Sequence, residues 1–281
     1  MAQSDLPIVL ITGATGRVGS LLRKAWAATP PHEFQPLWSG RSADRPEGWV
    51  LWDMQGDCLP AIAPPLAAIL HLARSPGHNG DDKLDVHMTR QAVRLARQYD
   101  VPLLIASSVA VYGSSSASLG EWTRPHPQTA NGRSKLSVER EFAETPRTCF
   151  LRIGNVVGAD ALIGAGGDRL VLDKGKGSER GPLRSWIGPR TLAAAVCDLL
   201  ALAVRGWDLP RHLNVAQEPA LSMADLAEGD GRRWLCSGRL AEVSCVRLDC
   251  GLLRSTLGRA LAPADAAGLV AEWRSLKVVR A

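Results

Sequence analysis

Apolar residues in this chain gather in short blocks separated by glycine and polar breaks, and the blocks alternate between two periods. Pro7 to Thr12 (PIVLIT) is a continuous β-branched run that breaks into GATGRVG and then into SLLRKAWAA. A run, a glycine turn and a helical pattern in that order predict strand, turn and helix. Further strands are predicted near Phe34 to Ser39, ending at Gly40 and Arg41, and over Trp49 to Trp52. Leu66 to Leu72 (LAAILHL) reads as a strand buried on both faces, as in a parallel sheet. A helix is predicted from about Asp82 to Tyr99, with Val86, Ala92, Val93 and Ala96 on its apolar side, and VPLLIASS supplies the next strand.

The alternation continues as CFLRIGNVVG. A glycine-rich stretch to Pro182 follows, with no clear period, and is expected to be a substrate-side loop or lid. Helices are predicted over TLAAAVCDLLALAV, SMADLAEG and PADAAGLVAEWRSL. Strands alternating with helices imply an α/β fold, a Rossmann-type doubly wound parallel sheet with a small C-terminal substrate-binding region. The expected division is a dinucleotide-binding core over residues 1–158 and a substrate-side region over 159–281, interleaved with the last core elements.

Composition narrows the chemistry. The chain has 281 residues, 46% hydrophobic, enough to bury a substantial core. Nine Trp stand against two Tyr and three Phe, so any phenol chemistry must come from Tyr99 or Tyr112. Six Cys lie scattered without a C-x-x-C pair or zinc-ligand spacing, which implies reduced thiols and no metal site. The N-terminal segment lacks a basic region before its short apolar run, and no run approaches a membrane span. A soluble, cytoplasmic protein is expected. A net charge of +5, without a basic run, argues against nucleic acid and is compatible with a small anionic ligand.

The string TGATGRVG, Thr12 to Gly19, closes a strand and opens a helix, so Gly13, Gly16 and Gly19 let the backbone approach a pyrophosphate at a helix N-terminus. At the end of the second strand, where an acid would hold the ribose hydroxyls of NAD, the chain has Arg41. With Arg17 in the glycine turn, this favours a 2′-phosphate, hence NADP, with NAD still possible.

Taken with these features, the chain resembles an extended short-chain dehydrogenase/reductase of the NAD-dependent epimerase/dehydratase family. Asp53 in VLWDM resembles the family's adenine-contacting acid, HLAR (His71 to Arg74) its fourth-strand motif, and SSVAVYG (Ser107 to Gly113) its catalytic-serine strand. LRIGNVVG resembles the nicotinamide-side motif, and RSWIGPRTLAAAV, LNVAQEPALSMADLA and VRLDCGLLRSTLG resemble later family stretches. The resemblance runs from about Pro7 to Leu276. It implies cofactor contacts from Gly13, Thr15, Gly16, Arg17, Val18, Gly19, Arg41, Asp53, Leu72, Ala73, Lys135 and Asn155, and a homodimer as the common assembly.

In such enzymes a Tyr exchanges a proton with the substrate oxygen, a Lys lowers the pKa of that Tyr and holds the ribose, and a Ser orients the substrate. Ser108 and Lys135 match the Ser and the Lys, but Asn131 stands at the Tyr position. A neutral amide can hydrogen-bond yet cannot carry the proton. Tyr112 would share a face with Ser108 on an extended strand, as a substitute proton carrier or as a packing residue. Dehydratases of the family carry Asp-Glu after the Ser; Val109 and Ala110 here point away from that chemistry. Arg169, Lys174, Lys176, Arg180 and Arg184 gather around glycines, either as a phosphate-binding loop or as a solvated face. Gly188, Pro189, Arg190 and Thr191 replace the family's H-V-D-D, which points away from a nucleotide sugar. The readings left open are an NAD(P)-dependent epimerase- or reductase-like enzyme with an atypical site, a redox-inactive cofactor-binding sensor or scaffold, and an active enzyme whose Tyr was mutated to Asn.

Overall fold

The computed structural model describes residues 6–42, 44, 46–62, 65–75, 82–164 and 169–278. The chain opens with β1 (Ile8–Thr12), α1 (Arg17–Ala28), β2 (Gln35–Gly40), β3 (Val50–Leu51), β4 (Leu66–His71), α2 (Asp82–Tyr99) and β5 (Leu103–Ser108). It continues through β6 (Ser118–Leu119), α3 (Ala130–Glu141), β7 (Thr148–Ile153), β8 (Asn155–Val156), β9 (Arg169–Lys174), β10 (Leu183–Ile187) and α4 (Pro189–Val204). The last elements are β11 (His212–Val215), β12 (Gln217–Ser222), α5 (Met223–Gly229), β13 (Arg233–Leu240), β14 (Cys245–Leu248), α6 (Gly251–Leu257) and α7 (Ala266–Lys277).

Among the described residues, seven parallel strands form the main sheet in the order β11-β7-β5-β4-β1-β2-β3. The order reverses between β1 and β4, and the carboxyl ends of strands at such a switch point are where α/β sheets bind ligands. The central strands are apolar throughout because helices cover both faces: every residue of β7 is buried, and β4 is buried at all but one position. On one face α1 packs against α4, and the Trp26 indole donates to the Ala193 carbonyl at 3.1 Å. On the other face α2 and α3 cover Leu10, Ile69, Ile105 and Phe150.

A second sheet, β12-β10-β14-β6 with β8 joined to β10, sits beyond the carboxyl ends of the main strands in sequence. The glycine-rich stretch is less irregular than its sequence predicts. Residues 169–174 form β9, which pairs in parallel with β13, and β10 is the centre of the second sheet. Strand β5 ends at Ser108, where VPLLIASS ends, and the chain does not stay extended to Tyr112: Val109–Val111 turn as a 3-10 helix whose first free N–H, that of Ala110, reaches the Ser108 hydroxyl. The expected shared face of residues 108, 110 and 112 therefore does not exist. No described helix is long and apolar enough to cross a membrane.

Candidate functional site

The glycine turn joins β1 to α1 at the switch point. Gly13 takes φ +72° with its α-carbon so close to the next strand that a Cβ would stand 2.5 Å from the Ala73 nitrogen. Only glycine fits there. Gly16 caps α1 without any side-chain hydrogen bond, and the first turn carries no acidic residue, so the leading amides of α1 are free to face an anion.

Beside this turn lies a cavity of about 200 Å³. It is walled by Gly13, Thr15 and Gly16, by Arg41 at the end of β2, by Trp52, Asp53 and Met54, and by Leu72 to Arg74 after β4. Arg41 and Asp53 are exposed at its rim, and the Asp53 carboxylate accepts from the Gln55 amide at 3.1 Å. Arg17 is directed elsewhere. It does not line the cavity, and its Nη1 donates to the Ala159 carbonyl at 3.0 Å, so of the two arginines expected to favour a 2′-phosphate only Arg41 stands at the cavity. Val18 and Gly19 lie within α1, and Asn155 starts β8, paired with Trp186 of β10.

Unpaired donors distinguish this cavity. Among the described residues, the buried side-chain polar atoms without a hydrogen-bond partner are Trp52 Nε1 and Arg74 Nε and Nη2, and both residues line it. All three are donors. A buried orphan donor costs of the order of 1–3 kcal/mol, more when charged, and an acceptor brought beside these atoms would offset that cost. Sequence reasoning named Arg74 only as the end of a motif; its burial without a partner is a property of the fold.

The other half of the site forms where α3 meets the end of β5. Thr129 caps α3 through the Gly132 amide at 3.1 Å, and Gly132 lies so close to the Ala110 carbonyl that a Cβ would come within 2.2 Å. That contact sets the first turn of α3, with Asn131, against the turn that follows Ser108. The Asn131 amide is partly exposed and hydrogen-bonds to no described residue. Lys135, one turn further on, donates from Nζ to the Ala106 carbonyl at 2.8 Å. Burial lowers its pKa to about 8, an effect opposed by the nearby Asp85 carboxylate and reinforced by Arg74. Asp85 itself accepts from the Ser134 hydroxyl and the Ser75 amide, both at 2.5 Å.

Under the glycine turn, His71 is enclosed and burial takes its pKa down to about 3, so it is neutral. Thr89 gives its hydroxyl proton to the Asp85 carbonyl and receives from His71 Nε2, while Thr12 donates to Nδ1 at 2.8 Å and receives from the Ala73 amide. His71 thus holds the two strand ends that flank the turn.

Residues 9–172 of the chain match the NAD dependent epimerase/dehydratase family. The chain belongs to that family. Solved structures of the same fold include MoeE5 in complex with UDP-glucose and NAD, at 23% identity and a TM-score of 0.72 over 95% of this chain and 99% of that one. A UDP-glucose 4-epimerase from Stenotrophomonas maltophila, with bound NAD and formylated UDP-arabinopyranose, is 16% identical with a TM-score of 0.74 over 96% and 98% of the two chains. TunA, an NAD-dependent NDP-hexosamine 5,6-dehydratase of tunicamycin biosynthesis, is 17% identical with a TM-score of 0.70 over 96% and 98%. No curated protein matches the chain.

As a member of this epimerase/dehydratase family, the chain has an NAD-dependent enzyme's scaffold, yet neither of its tyrosines stands at the end of α3. The Tyr112 phenol is 3% exposed, donates to Asn214 Oδ1 at 2.8 Å and accepts from Arg152 Nη1 at 2.9 Å. Burial raises its pKa in spite of Arg152, and the hydroxyl is enclosed in the core rather than facing the turn at Ser108. The Tyr99 hydroxyl bonds both the amide and the carbonyl of Ile62. Two residues of the basic stretch, Arg180 and Arg184, are also committed to the chain's own groups. Arg180 pairs with Asp225 and Glu228, at 2.8 and 2.7 Å, and Arg184 donates to the carbonyls of Leu183 and Val243. Where the family has H-V-D-D, Glu272 of α7 receives the Arg190 and Thr191 amides, so a carboxylate from another helix covers the start of α4.

Proposed function

We propose that this chain binds a nicotinamide dinucleotide between the glycine turn and Lys135, with NADP preferred, and acts as an epimerase- or reductase-like oxidoreductase on a hydroxyl or carbonyl of a small metabolite. The unpaired donors of residues lining the glycine-turn cavity, Trp52 Nε1 and Arg74 Nε and Nη2, carry the reading. Free α1 amides and unpaired buried donors suit the phosphates and ribose of a dinucleotide and little else of that size. Arg41 at the rim, where an acid would hold NAD, favours the 2′-phosphate. The nicotinamide supplies the hydride chemistry when bound. Ser108 orients the substrate oxygen, Lys135 holds the ribose, and a water held by the Asn131 amide takes or gives the proton that a phenol handles in the usual relay. Similar folds described with UDP-sugars support a sugar derivative as the substrate class.

A second reading, a redox-inactive cofactor-holding protein, is favoured by one observation: both tyrosines of the chain are bonded elsewhere. Fluorescence titration with NADPH and NADH at fixed salt, followed by turnover against sugars, lactones and keto compounds, tests both. NADPH is expected to bind more tightly, and Arg41→Asp to reverse the ratio. Equal affinities that Arg41→Asp leaves unchanged refute the NADP preference. Tight binding without turnover of any substrate selects the second reading.

A further inference from the structure

We propose that Arg74 is a diphosphate-binding residue of this chain, whose enclosed and unpaired Nε and Nη2 pair with the bridging phosphates of the bound dinucleotide. This rests on the dinucleotide reading of the cavity and adds a residue to it. Three observations converge. Arg74 Nε and Nη2 are sealed from solvent with no partner among the described residues, so the fold holds a cation's donors ready and unused. The same side chain lines the cavity with Gly13 and Gly16, whose turn presents the α1 amides. It is also close enough to Lys135 to lower that residue's pKa, which places it between the glycine turn and the ribose-holding end of the site.

Enclosed guanidinium donors without a partner lower the stability of a fold until a ligand completes them. The ligand that completes them must be an anion rich in acceptors and must lie where Arg74 and the glycine turn line the same cavity. A diphosphate meets both conditions, and a guanidinium offers it two parallel N–H···O bonds. The 2′-phosphate belongs instead at the opposite rim, at the end of β2, where Arg41 stands. The two arginines therefore divide the ligand: Arg41 reads the 2′ position and Arg74 the bridge.

The test compares calorimetric affinities for adenosine, 2′-AMP and ADP-ribose in the wild type, Arg74→Met and Arg74→Lys, with melting temperatures of the free proteins. Arg74→Met is expected to weaken ADP-ribose about 10- to 100-fold, the range for one charge-assisted hydrogen-bonded contact, while adenosine and 2′-AMP are unchanged. Arg74→Lys should recover part of the loss, and the free Arg74→Met protein should melt higher than the wild type because an unpaired charge is gone. A merely structural arginine would lower the melting temperature on substitution and weaken all three ligands alike, which overturns the proposal. A loss confined to 2′-AMP would assign Arg74 to the 2′-phosphate instead. If the wild type binds ADP-ribose and Arg74→Met binds it equally well, the assignment fails while the dinucleotide reading stands; if the wild type binds none of the three, both fail.

Discussion

Replacing Lys135 by Met should make the free protein more stable and the dinucleotide complex weaker. Burial holds the ammonium at a pKa of about 8 instead of 10.5, so the charged form carries a cost of about 3 kcal/mol relative to the unfolded chain. Met fills similar space without that cost and loses the hydrogen bond to the Ala106 carbonyl, about 1 kcal/mol, leaving a net gain of about 2 kcal/mol at pH 7. The sign follows from the depressed pKa of a cationic group. Below pH 8 the lysine is charged in both states and the whole penalty is present; between 8 and 10.5 the unfolded chain binds more protons, and the penalty is relieved as pH rises. Urea unfolding at pH 7 and at pH 10 should therefore show the advantage of the variant shrinking or vanishing at the higher pH. Dinucleotide binding moves the other way. An anionic ligand favours the ammonium, so wild-type affinity should fall above pH 8 as binding comes to require proton uptake, and the Lys135→Met protein should bind weakly with no such pH dependence. A Lys135→Met protein less stable than the wild type by the same amount at both pH values would show that the ammonium is well solvated or paired, and would refute the reasoning.

Two further outcomes are expected. Asn131→Tyr places a phenol one helical turn before Lys135, and turnover should rise by ~10² to 10⁴, the range for a positioned acid/base, when nicotinamide absorbance is followed with both cofactors; a fall in activity would show that the amide has a task of its own. Glu139→Gln removes the charge opposite Arg152, both side chains being 3% exposed, and should cost about 3–5 kcal/mol in urea unfolding by leaving a buried guanidinium without its counter-ion; a loss under 1 kcal/mol would mean that the rest of the network suffices.

The main sheet was legible in the sequence for a definite reason. Parallel strands buried on both faces must be continuous apolar runs, and PIVLIT, LAAILH and LLIASS have no other economical reading beside amphipathic helices. Strands β9 and β13 escaped because they lack such a run: Val171, Leu235 and Leu240 are exposed, and charged residues interrupt both segments. The sequence also marks charges without directions. Arg17, Arg41, Arg74, Arg180 and Arg184 are equivalent as letters. The fold turns Arg17 to a backbone carbonyl, neutralises Arg180 with two carboxylates and leaves Arg74 Nε and Nη2 enclosed and unpaired. Tyr112 shows the same limit, since a two-residue period predicts a shared face only while the strand lasts, and Ser108 ends it by capping a 3-10 turn.

That turn connects Tyr112 to the fold's buried charge. Once the chain leaves β5 at Ser108, Tyr112 falls into the core, where its hydroxyl bridges Arg152 and Asn214. Glu139 of α3 meets the same arginine through both carboxylate oxygens, at 3.1 and 2.7 Å, and receives the Ser107 hydroxyl at 2.5 Å. Burial opposes the charge on Arg152, but the hydrogen bonds and charge of Glu139 keep its pKa above the ordinary value. One end of α3 is thus anchored to β5 and β7 by an ion pair, and the other by Gly132 on the Ala110 carbonyl. Neither anchor uses position 131. The helix and Lys135 are held without a hydrogen bond from the Asn131 side chain to any described residue, so a substitution there is expected to leave the scaffold in place and to register in turnover.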